Sequence, residues 1–372
     1  MHKQIQKILI LDKIADSHWV EKVVSRFQVP TYRVADHQAV YDQIQGEADP
    51  IAAAKKILFL TVNNGAFFRK CPGTKEYICC DYKILHIGTF CTMDCSYCIL
   101  QSYFHPPVLQ LFLNMDDMLA ELDTVFREGI THRIGTGEYT DSLIWDRCLD
   151  FSRILIERFA SQHRSVLELK TKTVNVDGLK DLRHNRKTIL AWSVNTPTII
   201  KHQERSTASL SARLQAATTC AALDYPVAFH FDPLVIYEGC EKDYDQVIRQ
   251  IFTAVSPLDI VWISLGSFRY MSSLKAIIQN RFSKSKIVYG EFVPGMDGKM
   301  RYFKPLRKKL YQHIVASIRK YAPDVLVYFC MEDSDIWQSV MGFVPEEKGG
   351  LGHMLDKSAI KQCGLSLSSN AH

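Results

Sequence analysis

The sequence predicts an α/β protein centred on an incomplete parallel barrel of six strand–helix units. Three observations predict it. From about Tyr77 onward, short apolar runs of strand type alternate with longer amphipathic runs, the pattern of a parallel sheet covered by helices. Six such strands can be counted, two short of a closed eight-unit barrel. Polar residues able to do chemistry gather just past the strand ends, where barrel enzymes keep their sites.

The elements follow in order. Residues 1–75 read as a small N-terminal α/β domain, with a strand at Lys7–Leu11, an amphipathic helix at Trp19–Phe27 and a second strand at Ile57–Val62. The turn Cys71-Pro72-Gly73-Thr74 marks the boundary. Residues 76–311 form the barrel, with strands at Tyr82–Ile87, His132–Ile134, Val166–Lys170, Thr188–Val194, Val227–Asp232 and Ile260–Leu265. Helices are expected between them, at Met115–Arg127, Trp145–Phe159, Ser209–Leu223 and Tyr244–Val255. Residues 312–372 form a C-terminal extension. The basic helix Leu306–Tyr321 leads into it, a strand follows at Val325–Phe329, and Ser366–His372 is a frayed polar tail.

Composition narrows the class. The chain has 372 residues, enough to bury a large core. Its 47% hydrophobic content is that of a soluble protein. No apolar run approaches the roughly 20 residues of a membrane span. The run Lys7–Leu11 is too short for a secretory signal and ends in charge at Asp12. A cytoplasmic protein without membrane partners is expected. Eleven cysteines then argue for metal or redox use rather than a disulfide framework. A net charge of +5 permits a nucleic-acid partner.

The most telling segment is Cys91-Thr92-Met93-Asp94-Cys95-Ser96-Tyr97-Cys98, spaced C-x3-C-x2-C. A structural zinc site wants four protein ligands, and most electron-transfer clusters use four cysteines. Three thiolates on one tight loop leave an iron of a 4Fe-4S cluster open to another ligand. S-adenosyl-L-methionine can chelate that iron through its amino and carboxylate groups. Electron transfer then yields a 5′-deoxyadenosyl radical, chemistry that proteins delegate to cofactors.

The other strand ends supply partners. The second strand ends in Gly135-Thr136-Gly137-Glu138, where glycines allow close approach and Glu138 can accept from an ammonium group. The third ends in Lys170-Thr171-Lys172, both lysines on one face and able to meet a carboxylate. The fourth ends in Ser193-Val194-Asn195, two short hydrogen-bonding side chains on one face. The fifth carries His230 and Asp232, and the sixth leads to Arg269 and Tyr270. A basic stretch follows: Lys299, Arg301, Lys304, Arg307, Lys308 and Lys309, interleaved with Tyr302, Phe303 and Tyr311. Phosphate neutralisation plus base stacking would use that mixture; a solvated helix face would carry it equally well.

These stretches together resemble the spore photoproduct lyases of the radical S-adenosylmethionine superfamily. The likeness is carried by Cys91–Gln101, Gly137–Ser142, Lys170–Lys172, Ser193–Asn195, Glu204–Arg213 and Gly266–Tyr270. It implies a partial (β/α)6 TIM-type barrel, a 4Fe-4S cluster on Cys91, Cys95 and Cys98, and cofactor contacts from Glu138, Asp141, Ser142, Lys172 and Ser193, with Asn195 beside them. It implies a DNA substrate, a thymine dimer cleaved after hydrogen abstraction and flipped out of the duplex to be reached. Arg269, Tyr270, Arg301 and Tyr302 fall on the family's substrate side. A reducing partner of ferredoxin or flavodoxin type is implied as well.

Two departures stand out. The family's hydrogen-returning cysteine corresponds to Tyr139 here, and its second tyrosine, after the last cluster cysteine, to Ile99; Tyr97 is kept. Cys240 is the first candidate to replace that donor. Cys71, Cys79, Cys80 and Cys330 are further candidates, or ligands to a second metal. The alternatives are a radical enzyme acting on modified RNA or a peptide, and a non-catalytic zinc-bound nucleic-acid module.

Overall fold

The computed structural model describes residues 4–74 and 76–366. Most of the expected tail, 367–372, lies outside the described residues.

The main sheet has eight strands. Lys83–Leu85 (β5), His132–Gly135 (β8), Ser165–Thr171 (β9), Thr188–Ser193 (β10), Val227–Leu234 (β11) and Ile260–Ser267 (β12) lie side by side in chain order. Each is parallel to its neighbour. These are the six strands expected. A seventh parallel strand, Val327–Phe329 (β16), extends the sheet beyond β12. Phe68–Lys70 (β4) closes the other edge, antiparallel to β5. The order β16-β12-β11-β10-β9-β8-β5-β4 leaves the barrel open between its two edge strands.

A second sheet, in the order β2-β1-β3-β7-β6, is built from Thr31–Val34 (β2), Lys7–Leu11 (β1), Ile57–Thr61 (β3), Leu109–Phe112 (β7) and Gly88–Thr89 (β6). Its last two strands come from beyond residue 75, and β16 comes from beyond residue 311. Both sheets therefore run across the boundaries expected from sequence, because backbone pairing recruits strands by position and not by chain segment. A three-stranded antiparallel sheet joins Arg269–Tyr270 (β13), Met300–Tyr302 (β15) and Phe292–Pro294 (β14).

Local chemistry explains where helices begin and break. The helix Met115–Arg127 buries Met115, Met118, Leu122 and Val125 at helical spacing and carries Asp116 and Asp117 in its first turn, where the dipole favours acid. Ser209 caps Leu210–Ala222, its Oγ accepting from the Ala212 N–H at 3.2 Å. The helix expected over Trp145–Phe159 is two helices, Asp146–Leu149 and Phe151–Ala160, broken at Asp150 with φ of 49°. The Asp146 carboxylate accepts from the Ser152 N–H at 3.1 Å and the Ser152 hydroxyl at 2.8 Å, an interior cap that competes with helix continuation. Among the described residues, no helix is long and apolar enough to cross a membrane.

Candidate active site

A cavity of about 430 Å³ opens at the carboxyl ends of the parallel strands. Cys91, Cys95 and Cys98 stand on one wall. Their loop is pinned on all sides. Gln101 Nε2 donates to the carbonyls of Cys95 and Ser96, both at 3.1 Å, and of Cys98 at 3.3 Å. Asp94, between the cysteines, meets Lys55 at 3.1 Å and Arg281 at 3.2 Å. Arg281 in turn pairs with Asp49 at 2.8 Å. The Ser96 N–H donates to the Gln203 carbonyl at 2.8 Å. Burial pushes the Cys91 thiol up to about 12 and raises Cys95 further. A bound metal centre would hold these buried thiols as thiolates.

The residues fit an open 4Fe-4S cluster. The three thiols face a cavity and not a closed tetrahedral cage, which is at odds with the zinc module.

Beside the cysteines the cavity wall continues through Gly137, Glu138, Asp141, Lys172 and Ser193. Two glycines make this packing possible. A Cβ on Gly135 would stand 1.4 Å from the Tyr82 Oη, and one on Gly137 would stand 3.0 Å from the Lys170 Cβ. Asp141 Oδ1 accepts from Thr171 Oγ1 at 2.8 Å and Leu143 N at 3.0 Å; its Oδ2 accepts from Lys172 N at 2.8 Å. Asp141 thus shapes the loop, and burial pushes its carboxyl up in spite of those bonds. Lys172 Nζ lies 5.8 Å from the centre of the Tyr97 ring.

Two of the expected cofactor contacts, Ser142 and Asn195, are not among the residues that line the cavity. Ser142 Oγ accepts from Thr136 at 2.8 Å and from the Lys170 N–H at 3.0 Å. Asn195 Nδ2 donates to the Pro233 carbonyl at 2.7 Å, and its Oδ1 accepts from Tyr244 Oη at 3.1 Å. Both tie strand ends together.

The catalytic pair separates. Tyr97 lines the cavity and donates its hydroxyl to Glu204 Oε1 at 2.5 Å. Cys240 does not line it. It opens the helix Cys240–Ala254, is buried, and sets its Sγ 3.5 Å from Glu241. Burial pushes its thiol up to about 11. The turn at Gly239, φ 79°, directs Cys240 into the helix packing and away from the site.

The expected substrate group divides. Arg269 lines the cavity and pairs with Asp232 at 3.3 Å. Tyr270, Arg301 and Tyr302 are buried within the small sheet. Tyr302 stacks on Phe292 at 4.3 Å, and Tyr270 meets the same ring at 5.0 Å. Arg301 pairs with Asp297 at 2.8 Å, bonds the Met331 carbonyl at 3.0 Å and lies 3.9 Å over the Tyr77 ring. The other cations of the basic stretch are paired as well: Lys299 with Asp297, Lys304 with Asp333, Arg307 with Glu332, Lys308 with Asp335 and Lys309 with Glu241. Asp297, local to the run, pairs with Lys299 and Arg301, and carboxylates from other segments pair with the remaining four cations.

Some site residues were missed. Glu168, at the floor of the cavity, accepts from His230 Nε2 at 2.7 Å and Trp262 Nε1 at 3.1 Å; His230 Nδ1 meets Ser264 Oγ at 2.7 Å. The signal was present, a glutamate inside an apolar strand two residues before Lys170. Glu204 and Arg213 form a fully buried pair at 2.5 Å behind Tyr97. Nothing in their local sequence joins them to it.

Tyr139 and Ile99 both line the cavity. Tyr139 stacks against Tyr103 at 6.2 Å and meets the His86 ring edge-on at 4.9 Å. Cys71, Cys79, Cys80 and Cys330 line the same cavity on the side of Arg269.

Comparison with known proteins agrees with this architecture. The family model described as "Spore photoproduct lyase" matches residues 13–329. The spore photoproduct lyase of Bacillus subtilis is 27% identical over 244 residues, covering 64% of this chain and 69% of that one. That of Clostridium acetobutylicum is 25% identical over 262 residues, covering 69% and 74%. A solved spore photoproduct lyase variant with bound AdoMet and dinucleoside spore photoproduct superposes with a TM-score of 0.77 at 22% identity, over 87% of this chain and 98% of that one. The three-cysteine loop, the open parallel sheet and the family match over most of the chain converge on one assignment: this protein is a member of the spore photoproduct lyase family.

Proposed function

We propose that the chain is a radical S-adenosylmethionine lyase that splits an ultraviolet-induced thymine photoproduct in DNA. One observation carries the reading: a single cavity joins the three-thiol loop to a polar wall built for a second, larger ligand. The curated relatives are spore photoproduct lyases, and a solved one carries AdoMet and a dinucleoside photoproduct.

Cys91, Cys95 and Cys98 would hold a 4Fe-4S cluster, with S-adenosylmethionine on its open iron. Together these groups, when bound, supply a 5′-deoxyadenosyl radical able to abstract hydrogen. The chain's own residues do the rest. Glu138 accepts from the methionyl ammonium group, and Lys172 with Ser193 holds the carboxylate end. Asp141 keeps the Glu138 loop against the Lys172 strand. Tyr97, fixed through Glu204, closes the wall beside the cluster loop. The apolar part of the cavity keeps water from the reacting carbon. Arg269, and Lys170 beside it, face the lesion, which must leave the helical stack to enter. A low-potential electron carrier of ferredoxin or flavodoxin type completes the system.

Tyr139 and Ile99 on the cavity wall favour a second reading, the same cofactor chemistry on another substrate. One experiment separates the two. The anaerobically reconstituted protein is reduced with dithionite and given S-adenosylmethionine with or without a dinucleoside spore photoproduct. Release of thymidine with stimulated 5′-deoxyadenosine formation is expected. Cofactor cleavage with no effect of the photoproduct would leave the second reading, and no cleavage at all would overturn both.

A further inference from the structure

A hydrogen abstracted from a substrate leaves a product radical that must be closed by a hydrogen atom from some donor. Thiols are the best side-chain donors because their bond to hydrogen is the weakest available. Three relations bear on where that donor stands.

The first is placement. Cys330 follows β16 directly, and its N–H donates to the Leu265 carbonyl at 2.9 Å, which extends the strand pairing by one residue. It therefore sits on the rigid sheet, at the strand end that opens on the cavity. Cys71, Cys79 and Cys80 lie on the loop between β4 and β5. The second is fixation. Arg269 Nη2 donates to Cys330 Sγ at 3.4 Å, and Nη1 of the same guanidinium holds Asp232 and the Ser267 carbonyl, each at 3.3 Å. The sulfur is thereby anchored beside the two charged groups that face the lesion. The third is protonation. A donor of hydrogen atoms must be a thiol, since a thiolate has no hydrogen to give. Burial pushes Cys330 up to about 11 and raises Cys71 further, so both keep their hydrogen and placement on the sheet decides between them. Cys79 is lowered to about 6 by a hydrogen bond from Cys80, which ties up the hydrogen of Cys80 as well. Cys240 is outside the cavity.

We infer that Cys330 is the thiol that returns a hydrogen atom to the product radical, in place of the residue that Tyr139 replaces. The inference rests on the lyase reading above. The Cys330 S–H bond breaks homolytically, its hydrogen forms the new C–H bond of the product, and a thiyl radical remains on Sγ. One electron from the low-potential carrier that serves the cluster and one proton from water restore the thiol.

The test compares wild type, Cys330→Ala, Cys330→Ser and Cys71→Ala with a dinucleoside spore photoproduct in deuterium oxide. The wild type is expected to place solvent deuterium in the released thymidine. Both Cys330 variants should lose about tenfold or more of that labelled product while 5′-deoxyadenosine still forms, the signature of a lost step after abstraction. Serine keeps the polar contact to Arg269, so its failure marks loss of the hydrogen and not of the fold. Cys71→Ala, the rival thiol on the same cavity wall, should still place solvent deuterium in its product, whatever its rate. A second readout needs no cofactor: in the cluster-free chain, the photoproduct should slow labelling of Cys330 by methyl methanethiosulfonate. Retained label and coupling in Cys330→Ala, loss of the label in Cys71→Ala, or unprotected Cys330 would each overturn the inference. A wild type that releases no thymidine would overturn the lyase reading and this inference with it.

Discussion

Tyr97 donates its hydroxyl to Glu204 at 2.5 Å, and the same carboxylate holds Arg213 through its other oxygen, also at 2.5 Å. The three side chains are buried and bind the cluster loop to the start of the helix Leu210–Ala222. Burial works against the charge on Glu204, but Arg213 and Lys172 hold its carboxyl below the usual range. Glu204→Gln should therefore strand the Arg213 charge and cost about 3–5 kcal/mol. Tyr97→Phe removes one bond to a charged group and should cost about 1.5–3 kcal/mol. Urea unfolding of the apo chain measures both; equal, negligible losses would show that the loop is held by other contacts.

Iron content tests the cysteine loop. The reconstituted wild type should carry about four irons per chain with a broad visible absorption. Cys95→Ala should bind almost none, while Cys240→Ala, outside the cavity, should match the wild type. Zinc bound in place of iron at full occupancy would refute the cluster assignment.

The basic stretch leads to an expectation opposite to its appearance. Arg301 is 1% exposed and paired with Asp297, so Arg301→Ala should destabilise the fold by about 3–5 kcal/mol. Lys309→Ala, which removes a solvent-facing cation 3.7 Å from Glu241, should change the salt slope of DNA binding by well under one unit. A slope that drops by a full unit would return this stretch to the DNA contact.

His86 supplies a pH dependence. Its ring is buried between Phe112 and Tyr139, each at 4.9 Å, and neither ring nitrogen has a hydrogen-bond partner among the described residues. Burial, with Arg69 adding to it, lowers its pKa from 6.5 to about 4. The unfolded chain then binds a proton that the folded chain refuses, so stability should fall as pH drops from about 6.5 towards 4, by roughly 3 kcal/mol at most. His86→Phe should flatten that part of the curve, read by denaturant midpoints at several pH values. An unchanged curve would place the acid sensitivity elsewhere.

Much of the molecule is legible in the residues alone. The alternation of strand and helix periods set the six parallel strands, because strands covered by helices read as largely apolar runs, with polar residues kept for the cavity. Cys91, Cys95 and Cys98 declare their chemistry through spacing on one loop, and Glu138 and Lys172 through their place at strand ends. These are local properties, carried by neighbours in the chain. The tertiary structure decided everything that depends on pairing across distance. It recruited β16 into the sheet and joined Glu204 to Tyr97. It turned Cys240 into the core and brought Cys330 to the cavity. It also paired Lys304, Arg307, Lys308 and Lys309 with carboxylates from other segments. A side chain's charge and reactivity are set by what surrounds it in space, and for these residues the surroundings come from segments far away in the chain.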